Sequence, residues 1–318
     1  MTKIAILDDY QNVAKSYGNW SALPTGAQVT FFHENMPTVD IAAEKLKSFN
    51  VIVLMRERMP MQKALIDRLP DLKLIITTGG SNRSLDKDHA KAKGITCCFT
   101  RGGDSTATTV ETALALMLGH GRGLVYEDRM MRAGRYQLTI PTTIAGKTIG
   151  IVGLGRLGSR MARICKAMDM KVIAWSTNLT AEKAAAQGVD YVSKDELFSR
   201  ADYVSVHLVL SERSRGLIGA ADIAKMKKTA VLINTSRGPI IDEKAMLAAL
   251  REKRIGGAGL DVYDIEPLPA DHELRKLDNA VLSPHLGYVS DATYREYFED
   301  IVDNIAKWMA GTPVRLLA

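Results

Sequence analysis

Cysteine is scarce in this sequence. The three that occur, Cys97, Cys98 and Cys165, form no C-x-x-C pair and cannot all be joined to one another. This pattern excludes a disulfide framework and gives no indication of a zinc site or of any other metal site. It is typical of a reducing compartment, so a cytoplasmic location is expected.

Long apolar runs are absent as well. No window approaches the ~18 uncharged apolar residues that indicate a membrane-spanning helix. The first residues, MTKIAILDDY, lack the basic segment and the apolar stretch of an export signal. We therefore expect no membrane partner.

Runs of like charge are also missing. The chain has 42 Lys and Arg against 36 Asp and Glu, and the basic residues are spread along it. They form no aromatic-interleaved stripe of the kind typical of nucleic-acid binding, so no nucleic-acid partner is expected. The surplus of positive charge favours an anionic metabolite as ligand.

The composition is that of a folded globular protein, with 46% hydrophobic and 25% charged residues. At roughly 150 residues per domain, the length predicts two domains. Short apolar runs alternate with segments of helical period, which predicts an α/β fold with two doubly wound parallel sheets. The strand candidates are Lys3–Asp8, Val29–Phe32, Val51–Met55, Leu72–Thr77 and Ile95–Phe99 for the first sheet, and Thr148–Val152, Val172–Trp175, Tyr203–Leu208, Ala230–Asn234, Gly259–Val262 and Ala280–Leu282 for the second.

The last helical segment, Ala292–Ala310, is amphipathic and cannot complete the second sheet, whose six strands already match a dinucleotide-binding sheet. We therefore expect the chain to cross back into its first domain. Residues 1–100 and 290–318 would form a smaller, flavodoxin-like domain. Residues 101–289 would form a Rossmann domain inserted into it.

A glycine motif follows the predicted strand Thr148–Val152. It comprises Gly153, Gly155, Arg156, Leu157 and Gly158, and it opens a helical pattern. The first glycine permits a tight turn, the second lets the backbone approach a pyrophosphate, and the third lets the helix pack against the strand. The helix N-terminus attracts the phosphates. This context predicts a site for NAD or NADP.

The position that usually bonds the adenosine ribose departs from the common pattern. Dinucleotide sites carry an acidic residue about 20 residues beyond the glycines, but here the strand is followed by Ser176, Thr177 and Asn178. No carboxylate repels a 2′-phosphate there, and no arginine attracts one. The sequence leaves NAD and NADP open and slightly favours acceptance of NADP.

Three polar residues, Arg237, Glu266 and His285, follow strands of the second predicted sheet, where open α/β sheets bind their ligands. An arginine holds a carboxylate and polarises a carbonyl with a rigid donor fork. An imidazole donates a proton to a forming alkoxide, and a carboxylate on its other nitrogen fixes the tautomer. Singly, each also fits an ordinary ion pair, cap or buried histidine. Together they indicate hydride transfer to a 2-oxo acid.

The motifs Gly153–Gly158, Asn234–Pro239, Glu266-Pro267 and Ser283–His285, in this order, resemble those of the D-isomer-specific 2-hydroxyacid dehydrogenases. That family includes glyoxylate/hydroxypyruvate reductases and phosphoglycerate dehydrogenases. The resemblance implies that the first, discontinuous domain binds the substrate. It also implies a homodimer in which two subunits pair through their dinucleotide-binding domains.

The same resemblance implies roles for individual residues. Arg237, Glu266 and His285 would be catalytic, and the backbone amides of Gly79 and Gly80 would bind the substrate carboxylate together with Arg237. Further cofactor contacts would come from Thr109, His207, Thr235, Ser236 and Asp261.

Arg56 and Arg58 follow the strand Val51–Leu54. We expect one of them, with Arg56 as our choice, to meet an anionic substrate tail, although solvated loop arginines are the ordinary alternative.

Two other functions remain open at this point. A dinucleotide-sensing regulatory protein of the corepressor kind could keep both this fold and the three polar residues. A formate dehydrogenase on the same scaffold is disfavoured, because its hydride donor has no hydroxyl proton for His285 to remove.

Overall fold

The computed structural model describes residues 1–317, which form two compact units. Unit 1 contains Met1–Asp104 and the chain from Ser290 onward, and unit 2 contains Ser105–Val289. The sequence places residues 101–104 in the second domain, but they belong to unit 1. The reason is a long-range bond: the backbone N–H and the guanidinium of Arg101 both donate to the carboxylate of Asp300, each at 2.8 Å.

The strands in chain order are β1 (Thr2–Ile6), β2 (Ala27–Phe31), β3 (Val51–Leu54), β4 (Leu74–Thr77), β5 (Thr96–Phe99), β6 (Thr148–Val152), β7 (Lys171–Trp175), β8 (Asp190–Tyr191), β9 (Tyr203–Val206), β10 (Val231–Asn234), β11 (Gly257–Leu260) and β12 (Ala280–Leu282). The helices in chain order are α1 (Ala14–Tyr17), α2 (Val39–Leu46), α3 (Lys63–Ile66), α4 (Lys87–Ala92), α5 (Ser105–Gly121), α6 (Leu124–Arg132), α7 (Arg156–Ala167), α8 (Ala181–Ala185), α9 (Lys194–Arg200), α10 (Ala220–Lys225), α11 (Glu243–Arg251) and α12 (Asp291–Met309). Short 3₁₀ helices lie at Trp20–Ala22, Gly238–Ile240 and Glu273–Lys276.

Unit 1 is built on a parallel sheet in the order β2-β1-β3-β4-β5. Strands β3 and β4 are buried at every position, and only the last residue of β4, Thr77, is polar, as a parallel sheet covered by helices requires. The order reverses between β1 and β3, which is the flavodoxin-like arrangement. The amphipathic helix α12 belongs to this unit and buries Tyr297, Phe298 and Ile301.

Unit 2 is built on a parallel sheet in the order β12-β11-β10-β9-β6-β7-β8. The order reverses between β6 and β9, as in Rossmann folds, and this switch point is where such sheets bind ligands. The predicted α/β fold with two doubly wound parallel sheets is confirmed. Strand β8 is not predicted by the sequence pattern, because Asp190 and Tyr191 form an exposed two-residue edge strand without apolar periodicity.

Within residues 1–317, no helix combines the length and the apolar character that crossing a membrane requires.

Candidate active site

The glycine motif forms the turn between β6 and α7. Gly153 has a φ of +101°, and a Cβ built on it would lie 2.6 Å from the carbonyl oxygen of His207. A Cβ on Gly158 would overlap the carbonyl oxygen of Gly153, which shows how closely the helix packs on the strand. Around Gly155, by contrast, no heavy atom lies within 4 Å of such a Cβ. The turn therefore leaves one open approach to its backbone, which fits a pyrophosphate.

The two ends of the expected cofactor site lie at the start of α7 and the end of β7. Arg156 and Leu157 are the first residues of α7, where backbone N–H groups have no helical partner and favour anions. Ser176 is half-buried after β7, and Thr177 and Asn178 are exposed. These three positions carry hydroxyl and amide groups, which can bond a ribose without repelling a 2′-phosphate.

Two buried polar atoms after β9 and β10 have no hydrogen-bond partner within residues 1–317. They are Nδ1 of His207 and Oγ1 of Thr235. Burial lowers the pKa of His207 to about 4, so its ring is neutral at pH 7, and Nε2 lies 2.9 Å from Oγ of Ser205. Because buried polar groups are rarely left unpaired, these atoms at the carboxyl ends of β9 and β10, next to the β6/β9 switch point, fit a bound dinucleotide.

Glu266 and His285 meet beyond the carboxyl ends of β11 and β12. Oε2 of Glu266 lies 2.6 Å from Nδ1 of His285, and Oε1 accepts the backbone N–H of Tyr263 at 2.9 Å. An ionised carboxylate only accepts hydrogen bonds, so Nδ1 carries the proton in this pair. Nε2 is then the nitrogen that can exchange a proton with a ligand.

The pKa of Glu266 is lowered below its ordinary value. Burial alone would raise it, but the hydrogen bond and charge of His285, the N–H of Tyr263 and the charge of Arg237 outweigh burial. The carboxylate is therefore ionised at neutral pH and favours the protonated form of the imidazole. This combination suits general acid and base catalysis.

Arg237 follows β10 with its backbone fixed by Asn234. Nδ2 of Asn234 donates to the carbonyl oxygen of Arg237 at 3.0 Å, and Oδ1 accepts the N–H of Ser236 at 2.9 Å. The Arg237 guanidinium donates to the Ser236 carbonyl oxygen at 2.7 Å. The structure thus brings the three residues predicted as catalytic to one edge of the unit 2 sheet. Arg237 lies close enough for its charge to act on Glu266.

Asp261, Ser236 and Thr109, for which the resemblance implies cofactor contacts, all bond to protein groups of unit 2. Asp261 is fully buried, and its carboxylate accepts hydrogen bonds from the loop that carries His285. Oγ of Ser236 donates to the carbonyl oxygen of Val206 at 2.8 Å. Oγ1 of Thr109 lies 2.8 Å from the carbonyl oxygen of Gly287.

In unit 1, the residues expected to bind the substrate carboxylate follow β4. The N–H of Gly79 donates to Oγ1 of Thr100 at 2.9 Å, so this amide is already used inside the protein. A Cβ on Gly80 would have no heavy atom within 4 Å. Of the two predicted amides, that of Gly80 is the better placed to bind a ligand.

Arg56 and Arg58 occupy different surroundings. The backbone N–H of Arg56 donates to Oγ1 of Thr78 at 2.9 Å, and Nη1 donates to the Thr78 carbonyl oxygen at 3.0 Å. Arg58 instead donates to the carbonyl oxygen of Asp8 at 2.7 Å and lies over the ring of Tyr10. Arg56 is therefore the arginine beside the Gly79-Gly80 turn.

Asn82 has a structural role that the sequence motifs do not predict. Its Nδ2 donates to the carbonyl oxygen of Arg56 at 2.7 Å and to Oγ1 of Thr77 at 2.9 Å, which ties the end of β3 to the end of β4. The available signal was an asparagine in a turn next to two glycines, a residue type that commonly bonds nearby backbone.

Residues 114–287 match a family model described as D-isomer specific 2-hydroxyacid dehydrogenase, NAD binding domain. The chain is 32% identical over 284 residues to a glyoxylate reductase of Korarchaeum cryptofilum (strain OPF8), covering 87% of this chain and 85% of that protein.

The chain is also 33% identical over 265 residues to a D-3-phosphoglycerate dehydrogenase of Archaeoglobus fulgidus. That match covers 83% of this chain and 50% of the relative, so the chain spans half of that relative's length. Among solved structures, a phosphoglycerate oxidoreductase from Vibrio cholerae O395 matches with a TM-score of 0.91 at 33% identity, covering 98% of this chain and 100% of that one.

Proposed function

The chain belongs to the D-isomer-specific 2-hydroxyacid dehydrogenase family, and from this premise we propose the role of each residue in its site. The protein is an oxidoreductase that uses NAD(P) and acts on the CH–OH group of a 2-hydroxy acid. When bound, the reduced cofactor supplies a hydride to the carbonyl carbon of a 2-oxo acid. The residues of the chain hold the acid and supply the proton.

His285 is the proton donor in reduction and the proton acceptor in oxidation. The observation that carries this assignment is the 2.6 Å contact between its Nδ1 and Glu266, which leaves Nε2 to give a proton to the carbonyl oxygen as the hydride arrives. Glu266 holds the ring and stabilises its charged form. Arg237 binds the substrate carboxylate and polarises the carbonyl, because its guanidinium offers two parallel donors.

The cofactor residues follow from the turn geometry and the unpaired atoms. We assign the pyrophosphate to Gly153, Gly155, Gly158 and the first residues of α7, Arg156 and Leu157. Thr109, His207, Thr235, Ser236 and Asp261 are assigned to the nicotinamide half. Ser176, Thr177 and Asn178 are assigned to the adenosine ribose, and the absence of a carboxylate among them supports acceptance of both NADPH and NADH.

In unit 1 we assign the substrate carboxylate to the Gly79-Gly80 turn, chiefly to the amide of Gly80, and assign Arg56 to an anionic substrate group. The Arg56 guanidinium supports this role by lying beside the turn.

A homodimer through unit 2 is supported by exposed apolar side chains on and after α6. They are Leu124, Val125, Met131, Tyr136, Leu138 and Ile140. Ile140 is 99% exposed and borders a groove of about 890 Å³ in the same unit. Exposed apolar side chains concentrated in one stretch of chain favour an interaction surface, and we expect Ile140→Glu to convert dimer to monomer in sedimentation velocity. The three free cysteines support a reducing, cytoplasmic location.

The decisive experiment follows NADH and NADPH oxidation with glyoxylate, hydroxypyruvate, pyruvate and phenylpyruvate. We expect turnover with at least one acid, and loss of that turnover in His285→Asn with retained dinucleotide binding. Dinucleotide binding without turnover on any acid in the wild-type protein would contradict the proposed chemistry and favour a sensing role.

A further inference from the structure

His285 has a left-handed backbone, with a φ of +55°. Residues other than glycine seldom adopt this conformation, and it persists only where the surrounding structure determines it. The conformation sets the direction in which the imidazole leaves the chain. The contacts that hold the loop Ser283–Gly287 therefore also aim the ring at whatever it protonates.

One side of this 283–287 loop is held by Asp261. Oδ1 accepts the hydroxyl of Ser283 at 2.6 Å and the N–H of Leu286 at 2.7 Å, and Oδ2 accepts the N–H of Gly287 at 2.8 Å. These bonds lie before and after His285 in the chain. They fix the Ser283 hydroxyl and the amides of Leu286 and Gly287, and leave the Gly287 carbonyl oxygen to be held from elsewhere.

That carbonyl oxygen is held by helix α5. Oγ1 of Thr108 and Oγ1 of Thr109 each lie 2.8 Å from it. Both hydroxyls also have the carbonyl oxygen of Ser105 within reach, at 3.2 Å from Thr108 and at 2.8 Å from Thr109. A hydroxyl donates one hydrogen bond, so Thr108 favours Gly287, whereas Thr109 has two equally distant acceptors.

The position of Gly287 in the chain makes this bond important. Unit 2 ends at Val289, two residues later, so no following strand or helix of the unit anchors the loop. The Thr108 hydroxyl holds the Gly287 carbonyl oxygen two residues before the end of unit 2, and the Tyr288 ring packs edge-on against the His285 ring. Without the Thr108 hydroxyl, Asp261 would still hold the amides of Leu286 and Gly287, but the Gly287 carbonyl oxygen would depend on Thr109, whose hydroxyl has a second acceptor in Ser105.

We propose that Thr108 is a positioning residue for His285: its hydroxyl, with Asp261, holds the 283–287 loop in the conformation that aims the ring. This proposal rests on the proposed acid and base role of His285. It assigns to Thr108 no contact with substrate or cofactor.

The test compares Thr108→Val, which removes the hydroxyl at nearly constant volume, with Thr108→Ser, which keeps it. Thr112→Val is the matched control, because Oγ1 of Thr112 lies one turn further along α5 and donates at 3.0 Å to the Thr108 carbonyl oxygen, within the helix. The first readout is amide hydrogen exchange of Leu286 and Gly287 in the cofactor-free protein, which requires no activity. The second is kcat and KM on the best 2-oxo acid.

In Thr108→Val we expect exchange of these two amides to accelerate about fivefold, the range a single hydrogen bond supports. We expect kcat to fall by about the same factor, because the His285 ring is aimed less well at the substrate carbonyl. KM should change less than twofold, because the 2-oxo acid is bound as before. Thr108→Ser should restore both values, and Thr112→Val should leave both near the wild type.

Equal exchange in Thr108→Val and Thr112→Val would overturn the proposal. If Thr108→Val does not fold, Thr108→Ala gives the same comparison. A rise in cofactor KM with unchanged exchange would also overturn it, because that result assigns Thr108 to the dinucleotide. If amide exchange accelerates in Thr108→Val but the wild-type protein turns over no 2-oxo acid, Thr108 still anchors the loop and the proposed function is wrong.

Discussion

The guanidinium of Arg56 lies against Gly79 so closely that a Cβ on this glycine would overlap Nη1. Gly79 also has a φ of +78°, a conformation that side chains rarely adopt. The glycine is thus required twice, once by the backbone and once by the arginine. The second requirement links the turn expected at the substrate carboxylate to the side chain expected at an anionic group.

We predict that Gly79→Ala displaces Arg56 and raises KM for the 2-oxo acid about tenfold, the effect of losing one charged hydrogen bond. Gly94→Ala is the matched control, because Gly94 has a φ of +76° but no heavy atom near its Cβ position. Both variants should lose about 1 kcal/mol of stability from the left-handed backbone. Equal KM values in steady-state assays of the two would show that Arg56 does not serve the site.

Arg237→Lys keeps the charge and removes the two-donor fork. We predict a fall in kcat/KM of at least about a hundredfold, roughly 2.7 kcal/mol of transition-state stabilisation. Arg251→Lys, on the exposed face of α11, is the control and should be unaffected. The unfolding midpoint should match the wild type in both. Near wild-type turnover by Arg237→Lys would remove this residue from the chemistry.

Ser176→Asp places a carboxylate where the ribose is expected. It should bond the ribose hydroxyl and repel a 2′-phosphate, which shifts the ratio of kcat/KM toward NADH by about tenfold or more. Ser176→Asn introduces a side chain of the same size as aspartate but without the charge, and it should shift this ratio of kcat/KM much less. An unchanged ratio in Ser176→Asp would mean that the end of β7 does not bind the ribose.

The sequence was informative wherever a local pattern sets the structure. Apolar runs identified both sheets, and the glycines predicted the turn after β6 because each has a steric task within that turn. Glu266 and His285 could be paired from sequence because both follow strands whose carboxyl ends share one edge.

Long-range contacts explain what the sequence left undetermined. The unit boundary depends on Arg101 bonding Asp300, 199 residues away in the chain. Arg58 follows Arg56 by two residues, and their different long-range partners, Thr78 for Arg56 and Asp8 for Arg58, separate their surroundings. The Thr108 contact with Gly287 likewise joins two distant segments, and no periodicity or motif marks either residue.

The final prediction tests the pairing of Glu266 with His285. Because the pKa of Glu266 is lowered, its carboxylate stays negative across the working pH range and favours the protonated ring. Glu266→Gln removes that charge, so the protonated ring loses the carboxylate that stabilises it. Reduction requires the protonated ring and oxidation requires the neutral one.

The pH profile of reduction should therefore decline at a lower pH than in the wild type. The pH profile of oxidation should also rise at a lower pH. A loss of fold or of substrate binding would lower the height of both profiles without moving them together along the pH axis. The measurement is kcat/KM against pH in both directions, with a deuteride isotope effect showing that chemistry limits the rate. If both profiles stay at their wild-type positions under that condition, Glu266 does not control the protonation of His285, and the 2.6 Å contact between them is structural only.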